Sequence, residues 1–171
     1  MDVFFEQIIE IKKTAKDYVM LIGLWLLVAL VAAAVMFFVF PFIGPIALFP
    51  ILAAGFGAYK LSMVFFVEYE YIITNGTLDI DKIIAKNSRK RMASFEISSV
   101  ESVAKYNPQK KVSGNYERVI IACNKDDPNA YEMIVSKEGV GKQYIVFSPN
   151  EKIKGATMKY LPKYIANSAF K

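Results

Sequence analysis

Histidine is absent from all 171 residues, which removes the commonest general base and the commonest neutral metal ligand. Cysteine occurs once, and a single thiol can close no internal disulfide and build no zinc cluster. That residue, Cys123, stands in the strand-like run Arg118-Val-Ile-Ile-Ala-Cys123. With no histidine to activate it, its thiol reads as structural. The chain also lacks a phosphate-binding glycine-rich motif, a Gly-x-Ser-x-Gly elbow and metal-ligand spacing. These absences argue against an enzyme and against a bound cofactor or metal. No recognised nucleic-acid reader motif is present either.

Charge is missing from a long stretch. Between Tyr18 and Tyr59 the chain runs 42 residues without one charged side chain. Charges are costly in hydrocarbon, and one crossing needs about 20 apolar residues, so the run has the length of two. The expected product is a transmembrane helical hairpin at 18–67, with helices at about 18–40 and 46–67 and a bend at Pro41-Phe-Ile-Gly-Pro45. Ala29 with Ala33, and Ala54 with Ala58, have the small-xxx-small spacing that lets helix backbones approach in lipid. Contact within the hairpin and homo-oligomer formation both use such faces. Lys60 sits close enough to the end of the second helix for its stem to snorkel to the interface. Lys12, Lys13 and Lys16 precede the run, many basic residues follow it, and the bend has none. That distribution places both termini in the cytoplasm of a multi-pass cell-membrane protein. A cleaved signal peptide ending near Ala32-Ala33-Ala34 is the competing reading, but the apolar run continues far past a signal core.

The flanks are polar. In residues 1–17, Phe4, Ile8, Ile11, Ala15 and Tyr18 follow helical spacing. An amphipathic helix is therefore expected there, lying on the membrane or packed on the soluble part. Residues 68–171 carry the whole net charge of +5, since the first 67 hold four acidic and four basic residues. Here Asn75-Gly76 divides two alternating runs, the strongest short signal for a hairpin. A second turn at Asn87-Ser88 would pair Ile80 with Phe95 and Leu78 with Ile97. Further strands are expected at 116–123, 131–136 and 143–147, and Ser98–Val103 reads as a short strand or a helical turn. Ser148 and Glu151 form a capping-box pattern around Pro149, so a C-terminal helix is expected from about 149 until Pro162. The fold class is an α+β membrane protein whose hairpin precedes an antiparallel β-meander or barrel closed by one helix.

This order resembles the pleckstrin-homology-like (PH-like) fold. More specifically, Tyr71-Ile-Ile-Thr-Asn-Gly-Thr-Leu-Asp-Ile80, Arg89-Lys-Arg91 and Phe95-Glu-Ile97 resemble an uncharacterised bacterial membrane-protein family. Its members join a two-helix transmembrane hairpin to a PH-like domain. The resemblance implies a fold more than an activity. Eukaryotic phosphoinositide-binding members place basic residues around a longer first hairpin loop, whereas this loop is only Asn75-Gly76.

Two charged clusters are the candidate sites. Lys86, Arg89, Lys90 and Arg91, with Lys105, Lys110 and Lys111 in a neighbouring loop, could meet anionic lipid at the inner leaflet, at about 1 kcal/mol per cation. Glu70, Asp79, Asp81 and Glu96 share one expected face and could receive a basic partner; a flat sheet is a poor divalent-ion cage. The sequence thus reads as a membrane-anchored, non-catalytic binding or scaffold module with membrane lipids and an unknown protein as partners, and no nucleic acid. Anionic-lipid sensing through the 86–91 hairpin is the alternative, and a membrane enzyme the remoter one.

Overall fold

The structure, a computed structural model, describes residues 4–110, 112–137 and 139–170. It divides into two compact units, Lys12–Val67 and a second formed by 1–11 together with Glu68–Lys171.

The first unit is helical. Thr14 caps α1 (Ala15–Ala34) by accepting from the Asp17 N–H, while the Asp17 carboxylate accepts from the Thr14 N–H at 2.7 Å. A π-helical turn (Val35–Val39) leads to α2 (Phe40–Ile43). Gly44 then breaks the helix at φ 58° and ψ −139°, a conformation that suits a residue without a Cβ. A 3-10 turn carries Pro45 into α3 (Leu48–Ser62), and a further 3-10 turn ends at Phe65. α1 and α3 touch. Ala58 is buried and Ala54 half-buried, while Ala29 and Ala33 are exposed. Of the two small-residue pairs, then, only the second is withdrawn from the surface. Ala15–Phe65 is one helical run long and apolar enough to cross a membrane, with a mean hydropathy of 2.9 over its most apolar 18 residues.

The second unit contains two four-stranded sheets. The first has the order β1-β2-β3-β4, from Phe4–Glu10, Val67–Thr74, Thr77–Ile84 and Ser88–Glu96. β1 corrects an expectation: the opening residues form a strand, not an amphipathic helix. Phe5, Gln7 and Ile9 turn inward while Phe4, Glu6, Ile8 and Glu10 face out, a period of two that a helix-spaced count conceals. Pairing with β2 decides the choice, running from Phe4 opposite Thr74 to Glu10 opposite Glu68. Asn75 and Gly76 both take positive φ, 48° and 93°, as a type I′ turn requires.

The second hairpin departs from the expected register. Ala85 and Lys86 occupy its turn, with φ of 52° and 57°, and Leu78 faces Phe95 while Ile80 faces Ala93. A bulge follows, because Ile80 faces Ala93 but Asp81 faces Arg91, leaving Met92 as the extra residue. Strict alternation from Ala93 would turn Arg91 inward. The bulge returns it to the outer face.

A 3-10 turn (Ile97–Ser99) leads to the second sheet, in the order β5-β7-β8-β6, from Val100–Lys105, Tyr131–Lys137, Gly141–Phe147 and Arg118–Ile121. Residues 98–103 thus hold both of the alternatives read from sequence. β6 pairs with β8 in parallel, so this sheet is not the antiparallel meander expected. The parallel pairing is available because β6 and β8 are separated by a loop and the whole of β7, room enough for a crossover.

Residues from both sheets and from the C-terminal helices share one core, including Tyr71, Leu78, Ile80, Phe95, Met133, Ile145, Phe147 and Ile153. Tyr71 stitches it together. Its hydroxyl donates to the Ala122 carbonyl and accepts from the Ser148 N–H at 3.1 Å, and its ring meets Phe147 edge-on. The start of the C-terminal helix is a further correction. The cap of α4 (Glu151–Tyr160) is Asn150, whose side chain accepts from the Ile153 N–H, and not a Ser148–Glu151 box. Pro162 ends the helix as expected, before the short α5 (Lys163–Ala166).

α4 also lies over the first hairpin turn. A Cβ on Gly76 would stand 2.9 Å from Cδ1 of Tyr160. Gly76→Ala is therefore expected to lower stability by about 2 kcal/mol, through left-handed strain and displacement of that ring. Urea unfolding of the full chain in detergent checks this, and an unchanged midpoint would refute it.

Candidate functional site

The outer face of the first sheet gathers most of the charged residues singled out by sequence. What the sequence presents as two clusters is one ion-pair network there. The bulged strand aims Arg91 at two acids of β3, with Nε 2.6 Å from Asp81 Oδ1, Nη2 3.3 Å from Asp81 Oδ2, and Nη1 2.7 Å from Asp79 Oδ2. Arg89 Nη2 lies 3.0 Å from each oxygen of Glu70, with hydrogen-bond geometry to Oε1 alone. The arginines are half-exposed, whereas Glu70 and Asp81 are each only 2% exposed. Buried carboxylates therefore meet cations that remain partly hydrated.

The other candidate residues lie apart from these pairs. Lys86 Nζ stands 3.8 Å from Glu68 Oε1, a loose contact for an exposed side chain. Lys90 is exposed and pairs in register with Lys82. Glu96 accepts from the Thr77 hydroxyl at 2.9 Å. Lys105 belongs to the second sheet, with Nζ 4.6 Å from the centre of the Tyr131 ring, which Lys154 also approaches at 5.1 Å. Lys110 is exposed in the turn that starts at Asn107. Lys111 lies outside the described residues.

β1 supplies what sequence reasoning missed. Burial, and then the neighbouring Glu6 carboxyl from β1, hold the Glu70 carboxyl above the usual glutamate range, with Arg89 pulling the other way. Gln7 Nε2 donates to the Ser148 carbonyl at 2.9 Å, and its Oε1 accepts from the Asn150 N–H at 2.7 Å. The signal was available in Phe5, Gln7 and Ile9, which alternate with Glu6, Ile8 and Glu10.

Beside the network the same face has a cavity of about 470 Å³, bordered by β1, the start of β2 and the β3–β4 turn. Elsewhere Cys123 is buried, and burial pushes its thiol up to about 12, in keeping with an inert role. No group of three or more acids or thiols that could hold a metal ion occurs among the described residues.

A family model described as "Bacterial PH-like domain (DUF6106)" matches residues 1–167 of the chain. No curated protein and no solved structure matches it.

Two outcomes follow from the network. Arg91→Met leaves Asp81 buried without its cation and is expected to cost about 1–3 kcal/mol, moderated by the exposure of the arginine. Denaturant unfolding measures it, and a loss no larger than that of Lys90→Met would count against the pairing. For Glu70 the folded carboxyl binds its proton more tightly than the unfolded one. Its contribution is most favourable below its ordinary value of 4.5 and is lost as pH rises through the elevated folded value. Glu70→Gln should flatten that decline, so wild-type and variant stability curves that stay parallel across the window would refute it.

Proposed function

This chain belongs to the bacterial PH-like domain family, whose function is unknown, and from that membership we propose a membrane-anchored, non-catalytic binding module. In this reading residues 18–67 cross the membrane twice, both termini are cytoplasmic, and the β domain is a scaffold for a protein partner held at the membrane.

The observation that carries the double crossing is the pairing of β1 with β2. Glu10 stands opposite Glu68, so the chain between them must return to the point it left. A single crossing would strand the two paired ends on opposite sides of a ~30 Å core. The reversal at Gly44 and the contact of α1 with α3 agree with two passes. So do the apolar side chains that the run exposes, among them Phe37, Phe42 and Phe49, each more than 70% exposed. Such area is unfavourable in water by about 25 cal/mol per Å². The non-catalytic part rests on the missing histidine and the inert thiol. The engagement of Arg89 and Arg91 by acids weighs against sensing of anionic lipid through the 86–91 hairpin.

The buried Cys123 makes topology directly measurable, since it should stay silent to thiol reagents. Phe42→Cys is expected to react in intact cells with a membrane-impermeant maleimide, and the protein to resist carbonate extraction from membranes. Labelling only after permeabilisation would overturn the orientation, and release by carbonate would overturn the anchor. Crosslinking in native membranes should then recover a reproducible protein partner, and recovery of none would count against the scaffold role.

A further inference from the structure

The cavity on the outer face of the first sheet is lined by groups of both signs. Glu10 and Glu68 come from directly opposed positions of β1 and β2, and Lys86 and Arg89 come from the β3–β4 hairpin. Ile8 and Ile83 supply apolar walls between them. Like charges facing each other across a strand pair are unfavourable. Lys86 reaches Glu68 only at 3.8 Å and is 77% exposed, a loose contact. Arg89 is already turned to Glu70, yet its side chain stays 56% exposed.

We propose that this cavity binds a zwitterionic headgroup carrying a primary ammonium and a phosphate, that of an aminophospholipid. The ammonium lies between Glu10 and Glu68, and the phosphate meets Lys86 and the open side of Arg89. Charge selects this class over its neighbours. A simple anion would face two carboxylates, and a metal cation or polyamine would face the lysine and arginine. A quaternary ammonium has no N–H to donate and is held by aromatic faces, and none lines this cavity. The cavity volume of about 470 Å³ falls within the range of small-ligand sites. A lipid source follows from chain order, because Glu10 ends the strand that precedes the helical run and Glu68 stands in the strand that follows it. The proposal therefore rests on the membrane-anchored reading above and adds a ligand to it.

The test uses the full chain in a neutral detergent, with dihexanoyl phosphatidylethanolamine, phosphatidylcholine and phosphatidylglycerol compared by native mass spectrometry. The ethanolamine lipid is expected to bind about tenfold more tightly than either of the others, the size of one to two charge-assisted hydrogen bonds. Glu10→Gln combined with Glu68→Gln should abolish that preference and leave thermal unfolding unimpaired, since it relieves a like-charge contact. Soluble O-phosphoethanolamine should compete. Equal binding of the three lipids, a preference that survives in the double variant, or failure of competition would each overturn the site. Carbonate extraction reports on the anchor independently, so loss of the headgroup site and loss of the anchor are told apart.

Discussion

One pairing governs the rest of the structure: β1 lies antiparallel on β2, although the whole helical run separates them in sequence. The residues on either side of that run are thereby fixed within the spacing of two hydrogen-bonded strands, about 5 Å. The run is an insertion into a sheet and not a leader placed before one. It must reverse, and the reversal falls where proline removes donors and Gly44 accepts a conformation that side chains resist. A sheet edge also becomes available to bond with the far end of the chain, which β1 does through Gln7.

The same pairing shapes the electrostatics. Adding β1 to the sheet brings Glu6 to Glu70 and Glu10 to Glu68, so carboxylates accumulate on its outer face. The Met92 bulge answers on the other flank by turning Arg91 outward against Asp79 and Asp81, with Arg89 against Glu70. A charge cluster in a sequence carries a sign only until its neighbours are known. Arg89-Lys-Arg91 looks basic in isolation, yet two of its three cations meet acids from the adjacent strands. What remains is a face of mixed sign, which favours a ligand that is itself of mixed sign over a purely anionic surface.

Much of this was legible from local chemistry. Asn75-Gly76 dictates a tight turn because both residues must take positive φ, and alternation on either side selects Tyr71, Ile73, Leu78 and Ile80 as the buried set. The uncharged run and its central prolines were equally plain. The missed features all depend on partners distant in sequence. Residues 4–10 satisfy helical and strand spacing alike, and only β2 decides between them. The parallel seat of β6 on β8 has no local signature. Nor does the bulge, since a register displaced by two residues buries the same face and looks equally good on paper. Ser148 does not cap the helix: its N–H donates to Tyr71, a residue 77 positions away, and Asn150 takes the cap.

That dependence reaches the far end of the chain. Gln7 bonds both Ser148 and Asn150, the segment that launches α4, and the Glu10 carbonyl accepts from Asn124. Phe5 and Ile9 pack against the shared core. A fragment starting at Glu68 would lack these contacts and expose the β2 edge, an open template for association with other chains. During synthesis β1 emerges before the helical run and waits through it for its partner strand. Completion of the sheet is thus contingent on the run having reversed. The helical run and the strands that flank it are not separable parts joined by a linker, because β1 can pair with β2 only once the run has returned.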